Sequence, residues 1–356
     1  MRERLEKSYK VMETRQLDAV LVTSFPNRFY FSGFSGTSGQ LLLQREGKNF
    51  FITDFRYTEQ ASEETEGYEI VEVNQKKLEQ LAEVIREEKI TSLGFENRRL
   101  NHYHYKKIDD LTENTALIPL DKDLDEIRLV KSKEEIETIK EAIGITEEAF
   151  SEILNFIEPG LSEKRIAAEL EYILRKKGGE GPAFDFIVAS GQRSALPHGV
   201  ASEKKLKKGE FVTLDFGIRY SGYCSDMTRT IFLGEPLEKH REIYDLVLSA
   251  HNEVIEKVKP GLSGSEADAL ARDLIEAEGY GDNFGHGLGH GLGIEVHEGP
   301  KLSSQSDTIL KPGMIFTDEP GIYISGFGGV RIEDDILLND EGAVVLNNFT
   351  KELITL

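Results

Sequence analysis

At 356 residues the chain exceeds the roughly 250–300 at which a single hydrophobic core stops growing, so two domains are expected. Apolar residues make up 39% and charged residues 30%, a globular balance that excludes a disordered or membrane-embedded protein. A net charge of −21 excludes a nucleic-acid backbone as partner, because counterion release needs clustered Lys and Arg, and the single cysteine, Cys224, excludes an internal disulfide.

The opening Met1-Arg2-Glu3-Arg4-Leu5-Glu6-Lys7 has no apolar segment for a signal peptide or a bilayer span, so a cytosolic location and no membrane partner are expected. Residues 1–16 read as a helix and Ala19–Thr23 as a short buried strand, after which Phe25-Pro26-Asn27 breaks the pattern. Strands are expected at Gln40–Leu43, Asn49–Thr53 and Glu69–Val73, and a helix at Leu78–Glu88; strands alternating with helices imply an α/β N-terminal domain. Gly33–Gly39 resembles a phosphate loop only superficially. No Lys-Ser or Lys-Thr follows, and it reads as a turn.

The polar stretch Pro119–Asp125 precedes Ser132, which with Glu135 three residues on forms a capping box; the domain boundary is placed there, giving domains at 1–125 and 132–356. A second helix is expected over Ser162–Lys177, ending at Gly178-Gly179. Phe211–Gly217 and Thr228–Phe232 alternate with period two around Tyr220-Ser221-Gly222, which predicts a hairpin. Two helices, His240–Val258 and Ser265–Glu278, then lead to a strand at Met314–Thr317 and a second hairpin turning at Ser325–Gly329. Helix, helix, hairpin therefore occurs twice. Ile157-Glu158-Pro159-Gly160-Leu161-Ser162 matches Val258-Lys259-Pro260-Gly261-Leu262-Ser263, which suggests two similar halves around a shared centre.

Between the repeats runs Gly285-His286-Gly287-Leu288-Gly289-His290-Gly291-Leu292-Gly293, with His297 close behind. Alternate glycines have no preference for helix or strand, so something outside the run must order it. Asp215 and Asp226 lie near the ends of the first hairpin, and Glu319 and Glu333 flank the turn of the second. Directed inward, four carboxylates would repel, and divalent metal is the natural compensation. With neutral His290 they carry about four negative charges, matched by two divalent ions, and oxygen-rich ligation favours Mn²⁺, Co²⁺ or Fe²⁺ over structural zinc.

At these residues the chain resembles the pita-bread metallopeptidases, which include aminopeptidase P, prolidase and methionine aminopeptidase. The motifs are Val212–Gly217, Ser225–Thr230, Gly285–Gly291, Asp318-Glu319-Pro320-Gly321 and Val330-Arg331-Ile332-Glu333-Asp334. The resemblance implies an α/β (α+β) chain, with a creatinase-like N-terminal domain and a C-terminal pseudo-two-fold pita-bread domain. It implies five ligands, Asp215, Asp226, His290, Glu319 and Glu333, for two divalent ions, Mn²⁺ first and Co²⁺, Zn²⁺ or Fe²⁺ as alternatives.

His286 and the large N-terminal domain favour Xaa-Pro cleavage over methionine removal, so small proline-containing peptides are the expected partners and a homodimer the expected assembly. The resemblance makes Glu319 the general base, His198 and His297 catalytic aids at the tetrahedral intermediate, and His198, His286, His297 and Arg331 substrate contacts. Lys301 stands where dipeptide-preferring prolidases commonly carry an arginine that clamps the proline carboxylate. A lysine offers a point charge instead of a fork, which leaves cleavage of longer peptides as the alternative. A non-catalytic binding protein on the same fold is a remoter reading, against which all five ligand types are present.

The remaining candidates are assigned nothing. His102 and His104 read as helix-surface residues, and His240 and His251 as helix residues with polar neighbours. Cys224 has no assignable base, and no Gly-x-Ser-x-Gly elbow follows a strand.

Overall fold

Residues 2–356 are described by a computed structural model; Met1, the first residue of the expected opening helix, lies outside them. The chain divides into two compact units, one ending at Arg128 and the other spanning Leu129–Leu356.

The first unit begins with α1 (Arg2–Arg15) and β1 (Ala19–Val22), whose four residues are all buried. Phe25-Pro26-Asn27, expected to break the pattern, instead opens a helix, α2 (Phe25–Ser32). Proline is tolerated in a first turn, where its missing N–H has no partner to lose. Ser24 caps that turn through Asn27 N, and Gly33 ends the helix at φ 77°. Then follow β2 (Gln40–Gln44), β3 (Asn49–Asp54), α3 (Thr58–Glu64), β4 (Tyr68–Val73), α4 (Lys77–Glu87), β5 (Ser92–Phe95), α5 (His102–Leu111), β6 (Ala116–Pro119) and α6 (Asp123–Ile127). The six strands form one mixed sheet in the order β4-β3-β2-β1-β5-β6. The short α6 begins inside the polar stretch Pro119–Asp125.

The second unit opens with α7 (Lys133–Ile153) behind the Ser132/Glu135 capping box and α8 (Glu163–Lys176) behind Ser162. After β7 (Gly181–Pro182) and β8 (Ile187–Ser190), the first hairpin is built from β9 (Glu210–Phe216), β10 (Ile218–Tyr220), β11 (Tyr223–Cys224) and β12 (Met227–Leu233). Its turn is Ser221-Gly222, both residues at positive φ. The second half repeats the order: α9 (Glu238–Lys257), α10 (Gly264–Ala277), β13 (Gly289–Gly291), β14 (Glu298–Leu302), β15 (Ile315–Asp318), β16 (Gly321–Ile324), β17 (Gly328–Arg331), β18 (Asp334–Leu338) and β19 (Ala343–Val345).

The matched Pro-Gly-Leu-Ser segments do the same work in both halves. Gly160 and Gly261 take positive φ, their N–H groups donate to Leu206 and Leu310 carbonyls, and Ser162 and Ser263 cap α8 and α10. One apolar core packs α7 and α8 on β8, β9 and β12; the other packs α9 and α10 on β15, β17 and β18. Each helix pair thus backs one hairpin, and the chemistry sits where the hairpins break.

Candidate metal centre

In the second unit regular strand structure is interrupted at Ser225-Asp226 between β11 and β12, at Glu319-Pro320 between β15 and β16, and at Ile332-Glu333 between β17 and β18. Each break releases a carboxylate from the ladder. Asp215, the fourth acid, lies within β9 opposite Thr228. At the first break the backbone is so close that a Cβ on Gly217 would come within 1.8 Å of Ser225 O, so only glycine fits.

The histidine run is ordered from α10. Asp268 Oδ1 accepts from Leu288 N at 2.9 Å, and Arg272 donates to Phe284 O at 2.8 Å and His286 O at 2.7 Å. Strand β13 then inserts against two neighbours. A Cβ on Gly291 would meet Gly299 O at 1.8 Å, which is why this run cannot carry side chains at every position. His290 N donates to Thr317 Oγ1 at 3.0 Å, and Thr317 Oγ1 lies 3.3 Å from Glu319 Oε1.

Donor atoms of Asp226, His290 and Glu333 lie within 4.8 Å of one another. His290 Nε2 is 3.5 Å from Glu319 Oε1 and 3.8 Å from Asp226 Oδ2. Arg331 joins the remaining acids, with Nε 4.0 Å from Glu319 Oε2 and Nη2 in a buried ion pair with Asp215 Oδ2. Thr228 Oγ1 donates to Glu333 Oε2. Of the five residues expected to converge, Asp226, His290 and Glu333 meet, Glu319 stands beside them, and Asp215 is turned to Arg331.

Electrostatics mark the site as cation-seeking. Burial, compounded by the charges of Glu333 and Asp215, pushes the Asp226 carboxyl well above its usual range, and burial with Glu319 and Asp215 does the same to Glu333. Glu319 is raised to about 8, mainly by burial, against the opposing pull of Arg331. Burial holds His290 down to about 3, so its imidazole is neutral with a lone pair to offer. Among the described residues, Asp226 Oδ1 is buried with no hydrogen-bond partner. Crowded buried carboxylates, an orphaned oxygen and a neutral imidazole are a donor set that fits divalent cations.

The other expected residues surround this cluster. His286 Nδ1 meets Gly287 O at 2.7 Å and Nε2 meets Tyr323 Oη at 2.8 Å, with burial holding its pKa down to about 4. His297 is exposed, its ring 4.2 Å from that of His290 in an edge-to-face contact. His198 is exposed on the loop after β8 and lies near enough to Asp215, His286 and His297 to influence their charge. Lys301 is exposed on β14 directly across from His290. Arg331 is buried, donating also to Tyr323 Oη at 2.9 Å, Pro197 O at 3.2 Å and Thr228 Oγ1 at 3.1 Å.

Two histidines differ from expectation. His251, assigned nothing from the sequence, is fully buried between Asp318 and Asp334. His240 stacks 4.8 Å from Phe327 and packs against Phe211 and Phe232. Both lie on the face of α9 that packs against strands of the two halves, His240 half-buried and His251 completely so. The reading also passed over Tyr323, Thr228 and Glu163. Buried Glu163, the first residue of α8, accepts from Ser190 N, Ser202 N and Arg193 Nε at 2.8, 3.0 and 3.0 Å and so pins the loop that carries His198. Position 163 in a first helical turn looks like ordinary dipole pairing, so only its burial could have revealed it. Cys224 is buried with its thiol pushed up to about 12 by burial, which leaves it inert.

Comparison with known proteins places the chain. The model of metallopeptidase family M24 matches residues 137–340, and that of the creatinase/prolidase N-terminal domain matches residues 4–130. An uncharacterized peptidase of Bacillus subtilis (strain 168), YqhT, is 46% identical over 353 residues, covering 99% of this chain and 100% of its own. The solved structure of an Xaa-Pro dipeptidase from Bacillus anthracis superposes with a TM-score of 0.96 at 48% identity over 99% of both chains. That of an X-Pro aminopeptidase from Thermotoga maritima MSB8 gives 0.91 at 40% identity over 96% of this chain and 98% of its own.

Proposed function

The chain belongs to metallopeptidase family M24, with a creatinase N-terminal domain and a C-terminal pita-bread domain, and from that premise we propose that it is an Xaa-Pro dipeptidase. The observation that carries the reading is the meeting of Asp226, His290 and Glu333 with Glu319 beside them, in a chain similar end to end to an Xaa-Pro dipeptidase.

Catalysis is assigned to residues 132–356, with Asp215, Asp226, His290, Glu319 and Glu333 holding two divalent ions, Mn²⁺ by preference. When bound, such ions polarise a carbonyl and acidify water so that a nucleophile is available near neutral pH. Glu319 is suited to take the proton of the attacking water on its carboxylate, which lies beside the cluster with Oε1 3.5 Å from His290 Nε2. His297 stabilises the developing oxyanion, while His198 and His286 line the proline side. Arg331, engaged by Asp215, Tyr323, Thr228 and Pro197, keeps the two hairpins in register. An Xaa-Pro bond has no N–H, so selectivity comes from a pocket shaped for the ring.

Metal chelation followed by Mn²⁺ restoration tests the reading: cleavage of Ala-Pro is expected to vanish and return. Full turnover by the metal-free protein would exclude it. Lys301 favours a second reading, Xaa-Pro aminopeptidase action on longer peptides, in keeping with the similarity to the Thermotoga enzyme. Comparing Ala-Pro with Ala-Pro-Ala decides, since cleavage of the tripeptide alone would replace the first reading. A cytoplasmic homodimer completes the proposal. The acidic composition and single cysteine favour the compartment, and no helix among the described residues is long and apolar enough to cross a membrane.

A further inference from the structure

Next to Glu319 and Glu333 in the chain stand Asp318 and Asp334, which are register partners at the end of the β15–β18 ladder. Both are completely buried. Like charges directly opposite each other on paired strands repel, and burial deepens the cost. Into this pair α9 sends His251, also completely buried, with Nε2 3.0 Å from Asp334 Oδ2 and Nδ1 3.0 Å from Asp318 Oδ2. The first contact is a hydrogen bond and the second an ion pair off the hydrogen-bond axis. Asp334 has further cations, Arg229 Nη2 at 2.6 Å and Lys351 Nζ at 2.8 Å. Among the described residues, Asp318 has no hydrogen-bond donor on either oxygen, so His251 is its close counter-charge.

The location gives this bridge its consequence. One residue past Asp318 and one residue before Asp334 the ladder ends, and the chain turns out into β16 and β17. A splay of the last rung would move Glu319 and Glu333 directly. A flat ring with nitrogens on two edges acts as a spacer of fixed width that can hold both carboxylates at once. We propose that His251 is a positioning residue for the metal centre: by bridging Asp318 and Asp334 it sets the separation of the strand ends that deliver Glu319 and Glu333. Burial alone would strip its proton, but the two carboxylates outweigh burial and push its pKa up to about 9, which keeps the ring cationic at neutral pH.

The inference rests on the reading of the five residues as metal ligands, and its test reads metal binding without turnover. Mn²⁺ is titrated calorimetrically into the metal-free full-length chain, comparing wild type with His251→Gln, Asp318→Asn and Val254→Ala. Val254 is a buried core residue on the same helix. His251→Gln and Asp318→Asn are expected to bind Mn²⁺ roughly 10–100-fold more weakly. Val254→Ala is expected to lower the melting temperature and leave the affinity in place. Wild-type affinity in the first two variants, or an equal loss in Val254→Ala, overturns the proposal; should His251→Gln fail to fold, Asp318→Asn decides alone. A wild type that binds no Mn²⁺ overturns the metal centre and the positioning role together. A wild type that binds it yet cleaves no Xaa-Pro peptide overturns only the substrate reading, and the affinities then decide the role of His251 by themselves.

Discussion

Arg331 and Asp215 form a buried ion pair that joins strand β17 of the second half to strand β9 of the first, guanidinium Nη2 against carboxylate Oδ2. The same guanidinium holds Tyr323 and Pro197, so one side chain ties β9, β16 and β17 to the loop that carries His198. Replacing it with methionine strands a buried carboxylate, a change that costs about 3–5 kcal/mol. We expect Arg331→Met to lower the melting temperature of the metal-free protein sharply and peptidase activity by more than about 100-fold. Unchanged melting and turnover would show that the pair is incidental.

Tyr323 couples Arg331 to His286 through one hydroxyl, which burial pushes up to about 12 and so keeps protonated. Tyr323→Phe removes both hydrogen bonds while preserving the ring. The expected cost is about 1–3 kcal/mol, with kcat reduced several-fold and KM for Ala-Pro raised as His286 loses its orientation. Steady-state kinetics on the purified variant separate the two effects.

The acids at the centre also set a pH dependence for the metal-free protein. Glu319 has a folded pKa of about 8 against an ordinary value near 4.5, and Asp226 and Glu333 are raised as well. Between those values the native state holds protons that the unfolded chain has released, so stability is present below the ordinary value and lost as pH rises through about 8. Metal-free protein should therefore melt higher near pH 5 than near pH 8.5, and saturating Mn²⁺ should abolish or reverse that slope. Differential scanning calorimetry at both pH values is the check, and a metal-free protein that becomes more stable towards pH 8.5 would contradict the picture.

Gly291 allows β13 to pass against Gly299 with no room for a side chain. Gly291→Ala forces the backbone apart within one residue of His290, at a cost of about 1–3 kcal/mol. The variant should lose Mn²⁺ binding by calorimetry, whereas Gly285→Ala, with open space around its Cβ position, should retain it.

Lys301 faces His290 across the strand pair and is free to meet a substrate carboxylate. Exchanging its point charge for a planar fork should raise the preference for a free proline carboxylate. Lys301→Arg is expected to increase kcat/KM for Ala-Pro over that for Ala-Pro-Ala by roughly tenfold. An unchanged ratio would remove Lys301 from the substrate site.

Much of the catalytic unit was legible in the chain because its signals are local. The capping box at Ser132, the twin Pro-Gly-Leu-Ser segments and the alternation around Ser221-Gly222 each specify backbone within a few residues, and all recur in the structure. The break at Phe25-Pro26-Asn27 misled because proline reads alike in a loop and in a first helical turn, and Ser24 and Gly33 decide between them.

What the amino-acid order determined by itself was the inventory: two repeats, the acids and imidazoles that chemistry of this kind requires, and the glycines between them. What only the tertiary structure decided was which side chains lose their water. His251 and Glu163 look ordinary on a helical wheel, yet both lie fully buried among charged or polar partners distant in sequence. Burial is the sum of contacts from elements far apart along the chain, and in a low-dielectric interior it turns an unremarkable polar residue into one that must be paired.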